Sequence, residues 1–110
     1  MNFTTMLKKS HEFKRLYNKG KSSASQHVAI YVRPNGTEFN RIGITVSGKI
    51  GGAVVRNRIR RRLKEIYRLN EKSLKPGFDI VIAARRKCIS ANYHEIETSV
   101  LTVFRKLNLL

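Results

Sequence analysis

The chain has 110 residues, 23 Lys+Arg against 7 Asp+Glu, and a formal net charge of +16. That length excludes two ordinary domains and supports a single one over 1–110 with a modest core. A hydrophobic share of 41% excludes a disordered tail, while the self-repulsion of so much positive charge points to a polyanionic partner, nucleic acid before an anionic membrane surface.

Residues 1–9 read as a loosely fixed basic lead-in. Ser10 is placed to cap a helix with Glu12 in its first turn, and Phe13, Leu16 and Tyr17 share one face of it before Gly20 stops it. The pattern leaves Phe13 and Tyr17 open between core packing and exposed rings. Residues 21–25 form a polar connector with room for a short extended piece. Residues 27–33 and 41–47 are dense in β-branched and aromatic side chains in alternation. Their connection of about seven residues, with Pro34, Asn35 and Gly36 as turn chemistry, predicts an antiparallel hairpin.

Residues 48–52 break the second strand and lead into a basic helix over 53–70. On a wheel of about 100° per residue, Val55, Ile59, Leu63 and Ile66 make its buried stripe. Asn57, Arg60, Arg61, Lys64 and Arg68 cluster on the open side, and Arg58 and Arg62 sit on the other flank beside Glu65. Residues 78–84 are a near-continuous apolar run, the pattern of a strand buried on both faces, joined in parallel to a hairpin strand through a βαβ unit. A last helix over 91–107 has Ser90 or Asn92 as its cap and Tyr93, Ile96, Val100, Val103, Phe104 and Leu107 as its core stripe.

No catalytic constellation is legible. The seven acids form no close pair outside helix surfaces, the three histidines are scattered singly, and no serine has a nucleophile-elbow setting. The glycines at 48–52 lack the spacing of a phosphate-binding loop. Cys88 has neither a disulfide partner nor a Cys/His neighbour at ligand spacing, the N-terminus lacks the apolar core of a signal peptide, and no run approaches the ~18 apolar residues of a membrane span. A cytoplasmic protein with no catalytic and no metal residues of its own is expected. The basic arc would neutralise phosphates, and the rings of Phe13, Tyr17 and Tyr31 suit stacking on unpaired bases. This favours RNA with single-stranded portions over duplex DNA.

Residues 53–65, AVVRNRIRRRLKE, resemble the RNR signature of the bacterial ribonuclease P protein component. The likeness runs through most of the chain: Phe13 and Tyr17 before Lys19-Gly20, a strand bearing Tyr31, residues 43–47 and residues 79–85. The resemblance implies an α+β fold, a two-layer αβ sandwich with a mixed sheet covered by helices and a left-handed βαβ crossover, against the usual right-handed rule. It implies that the protein is the non-catalytic subunit of an endoribonuclease that removes the 5′ leader of precursor tRNA. Catalysis then belongs to a partner RNA, with Mg2+ required by the holoenzyme and no cofactor held by the protein. Lys49, Arg56, Asn57, Arg58, Arg60, Arg61, Lys64 and Arg68 would bind that catalytic RNA; Phe13, Tyr17 and Tyr31 would line a cleft for the leader. Gly48 and Gly52 depart from the family's lysine and asparagine, and Lys64 stands for an arginine, keeping charge without the planar fork. The other reading compatible with the same charge and rings is a structural ribosomal or general RNA-binding protein.

Overall fold

The apolar run expected to be buried on both faces takes the centre of a five-stranded sheet. The computed structural model describes residues 1–110 and places, in chain order, β1 (Thr4–Met6), α1 (Ser10–Lys19), β2 (Lys21–Ala24), β3 (Val28–Pro34), β4 (Asn40–Thr45), α2 (Ala53–Asn70), β5 (Phe78–Ala84) and α3 (Tyr93–Lys106). The sheet order is β1-β4-β5-β3-β2, with β5 parallel to β4 and antiparallel to β3. The expected hairpin between residues 27–33 and 41–47 therefore does not form. These strands are antiparallel in direction, but β5 lies between them. Burial explains the insertion: Ile80, Val81 and Ile82 are all inaccessible to solvent and need a strand on either side.

Alternation along the strands divides the sheet into two unlike faces. Val28, Ile30, Val32, Ile42, Ile80 and Ile82 point to one of them, where α2 brings Ile59, Leu63 and Ile66 and α3 brings Ile96, Val100, Val103 and Phe104. Each such aliphatic burial is worth about 1.5–3 kcal/mol, enough to hold a cationic helix down against its own repulsion. The other face carries a smaller cluster of Leu7, Leu16 and Val81, against which Phe13 and Tyr31 pack, with α1 as its only helical cover. Asn92 caps α3 as expected, accepting from Glu95 N–H at 2.9 Å. Ser10 does not cap α1. Lys9 occupies that position, and its N–H donates to Glu12 Oε1 at 3.3 Å.

The first residues are not a loose lead-in. β1 pairs in parallel with β4, and Glu71, 2% exposed, accepts from the backbone N–H of Asn2 (2.6 Å) and Phe3 (3.3 Å) and from the Thr4 hydroxyl. Tyr67, fully buried on α2, joins this cluster through Thr4 Oγ1 (2.7 Å) and Asn40 Nδ2 (3.2 Å). Cys88 is a packing residue: burial pushes its thiol pKa up, and Sγ donates to the His27 carbonyl at 3.0 Å. His27 is buried as well, with Nδ1 2.5 Å from Ser99 Oγ. No helix is long and apolar enough to cross a membrane.

Candidate nucleic-acid interface

The seam predicted for the basic helix is the one that packs. Ile59, Leu63 and Ile66 are fully buried and Val55 is half-buried, so the arc opposite them faces solvent. Asn57, Arg60, Arg61 and Lys64 are exposed along it, and Lys49 is exposed in the preceding loop. Arg60 donates only to Asn57 Oδ1, at 3.0 Å, one turn away. Gly52 gives α2 no side-chain cap, which leaves first-turn amides free for an anion. Arg56 is half-buried beside this turn, its Nε enclosed and without a partner.

Three arginines on α2 are engaged elsewhere. Arg58 reaches the Ile89 carbonyl (3.4 Å) and Arg62 the Ala91 carbonyl (3.2 Å), so both tie α2 to the segment before α3, as the wheel suggests for that flank. Glu65 pairs with Arg68, through Nε at 3.0 Å and Nη2 at 2.5 Å, rather than serving the flank of Arg58 and Arg62. Arg68 thus brings less free charge to the arc than Arg60 or Arg61. Its hydrogen bonds hold the Glu65 carboxyl below the ordinary range.

On the opposite face, strand register builds a groove. Ser22, Tyr31, Val81 and Gly43 lie in one row across β2, β3, β5 and β4; Ala24, Ala29, Ala83 and Thr45 form the next row towards the end of β5. None of the second row is buried, and all four side chains are small. Tyr17 rises from α1 beside this floor, 41% exposed, with its ring edge-on to Tyr31 at 4.9 Å and its hydroxyl 3.5 Å from Thr45 Oγ1. The two tyrosines form one aromatic wall over a shallow floor, the geometry of a stacking platform for an extended strand. Phe13, like Tyr31, is half-buried against Leu7, Leu16 and Val81, and its ring lies over Gly43 in the first row.

Arg41 holds α1 against this face. Its Nε and Nη2 donate to Asp79 Oδ1 (2.8 Å) and Oδ2 (2.6 Å), and Nη1 donates to Glu12 at the first turn of α1. Asn35 Nδ2 donates to Asp79 Oδ1 as well, at 3.1 Å. For Glu12, desolvation works towards a higher pKa, but the Lys9 backbone and the Arg41 charge outweigh it and hold the carboxyl below its ordinary value. Sequence spacing showed no close acid pair, because Glu12 and Asp79 meet only through Arg41 in the folded chain. The small-residue floor was missed for a related reason. The alternation of Ala29 with Ile30 was visible, whereas 78–84 reads as one apolar run, and neither pattern shows which strands lie side by side.

Comparison with known proteins matches residues 1–108 to the family model described as Ribonuclease P. A ribonuclease P protein component from Alkaliphilus oremlandii is 44% identical over 110 residues, covering 100% of this chain and 96% of that protein. One from Thermoanaerobacter sp. is 47% identical over 100 residues, 91% of this chain and 86% of that protein. Among solved structures, a Staphylococcus aureus RNase P protein mutant with defective mRNA degradation activity superposes with a TM-score of 0.89 at 30% identity, covering 96% of this chain and 89% of that one. The RNase P protein from Thermotoga maritima superposes with a TM-score of 0.81 at 30% identity, over 88% and 92% of the two chains.

Proposed function

This chain belongs to the ribonuclease P protein family, and from that premise we propose that it is the RNA-binding subunit of a bacterial ribonuclease P, assisting removal of the 5′ leader from precursor tRNA. Bond cleavage falls to the RNA subunit and its Mg2+ ions; the protein holds two RNAs in register. The observation that carries this reading is the placement of two unlike surfaces. The arc of Asn57, Arg60, Arg61 and Lys64, none of them in an ion pair, lies on the helix covering one face of the sheet, and the wall of Tyr17 and Tyr31 lies on the other face. Cations with Lys49 and Arg56 suit a folded RNA backbone, whereas rings over a small-residue floor suit an unpaired leader. Arg58 and Arg68 take a secondary part, since Arg58 reaches back to the segment before α3 and Arg68 is neutralised by Glu65. The cytoplasm is the compartment this role requires.

Sequencing the RNA that co-purifies with the tagged chain tests the assignment. One dominant RNA that cleaves precursor tRNA is expected; ribosomal RNA would refute it. With that RNA reconstituted, added protein lowers the Mg2+ needed for cleavage, and it does so less for substrates lacking a leader. If leader length makes no difference, the groove is not the leader site.

A further inference from the structure

A second cationic groove lies away from both surfaces. Lys19, Lys21, Arg33 and Lys75 surround a cavity of about 500 Å³ floored by Val32, Phe78 and Leu107. No acid lines it, and the ion pairs of the chain involve only Arg41 and Arg68, so the four cations have no carboxylate partner. Val32 points to the face opposite Tyr31, whereas Arg33, in phase with Tyr31 and level with Asp79, lines both this groove and the pocket of Glu12, Arg41 and Asp79. Because β4 and β5 are parallel, α2 begins where both strands end, whereas the groove sits where β5 starts.

The walls are held by backbone. Lys21 pairs in register with Val32, Asn35 N–H donates to Gly77 O at 2.9 Å, and Lys75 N–H donates to Leu109 O at 2.9 Å. Gly77 adopts φ 91°, which a side chain would strain. An acidic peptide would answer the charge equally well, but a ring-sized apolar floor and an amide at Asn108 that both donates and accepts are the complement of a nucleobase. We propose that this groove is a further RNA-contact site, taking one unpaired nucleotide with its base on Phe78 and its phosphate among the lysines. Its assignment to RNA rests on the subunit reading above.

Amide shifts of the free, full-length chain, titrated with AMP, inorganic phosphate and an oligoglutamate peptide, test it. AMP should move Lys21, Val32, Phe78 and Asn108 at a concentration at least threefold lower than either of the others. K19Q/K21Q/K75Q should abolish these shifts, and R60Q/R61Q should leave them intact. Phosphate matching AMP would reduce the groove to an anion patch, and tighter oligoglutamate would make it a peptide site; either overturns the proposal. In the reconstituted ribonucleoprotein the triple lysine variant should lower the salt slope of assembly by at least about 0.7, one single-strand phosphate, and an unchanged slope overturns the RNA assignment. If the chain assembles with no RNA at all, the subunit reading fails, while the AMP titration still decides whether the groove takes a nucleotide.

Discussion

The ring of Phe13 lies so close over Gly43 that a β-carbon at that position would stand 2.5 Å from its Cε1 atom. A bare backbone in β4 is therefore what lets α1 settle beside Tyr31 and present Tyr17. Gly43→Ala should displace the ring and cost about 1–3 kcal/mol. Thermal melts of G43A, F13L and the double variant check the cause: the penalty of G43A should shrink in the F13L background. Strict additivity would place it elsewhere.

Glu71 links the amino terminus to the end of α2. Desolvation acts to raise its pKa, but the bonds from Thr4, Asn2 and Phe3 prevail and hold the carboxyl below the usual value. Since the folded pKa is the lower one, its stabilisation is complete above the unfolded value near ~4.3 and disappears as pH falls through the folded one. Glu71→Gln should cost about 2 kcal/mol at pH 7 and flatten the acid limb of the stability profile. Hydrogen exchange at Asn40 and Leu7, whose N–H groups donate to Phe3 O and Ile42 O, should accelerate in the same variant.

The arginines of α2 should separate by salt dependence. Arg60→Ala and Arg61→Ala each lower the slope of log affinity against log salt by about one. Arg68→Ala lowers it by less, because Glu65 already offsets that charge. Equal slopes for all three would mean that the Glu65–Arg68 pair opens on binding.

Filling the aromatic groove should be selective. Ala83→Leu raises a branched side chain through the small-residue floor, and Tyr31→Ala removes a stacking surface worth about 1–3 kcal/mol per base. Competition between leader-bearing and leaderless substrates measures the effect. Both variants should lose affinity for the former by tenfold or more and leave the latter within about twofold; equal losses would assign the floor to general folding.

Much of the exposed basic arc was legible because helix periodicity is local. The spacing of Ile59, Leu63 and Ile66 against Asn57, Arg60, Arg61 and Lys64 places the seam and the arc without knowledge of any neighbour. The resemblance of 53–65 to the RNR signature supplied the kind of RNA, which charge alone does not specify. The aromatic groove was only half legible: the rings of Phe13, Tyr17 and Tyr31 stood out locally, but the small-residue floor beside them depends on which strands pair. The hairpin expectation failed because adjacency in the chain was taken for adjacency in the sheet, and the buried run at 78–84 had the stronger claim on the centre.

What the chain determined by itself was the three helices and the three long strands, the charged arc of α2 and the need for a polyanion, all set by neighbours within a few residues. Only the tertiary structure decided that β5 separates β3 from β4, that Arg41 joins Glu12 to Asp79, and that Ala29, Ala83 and Thr45 lie level beneath Tyr17. The reason is the period of two along a strand. Which side chains share a row depends on long-range pairing and register, and a shift by one residue would turn every one of them to the other face.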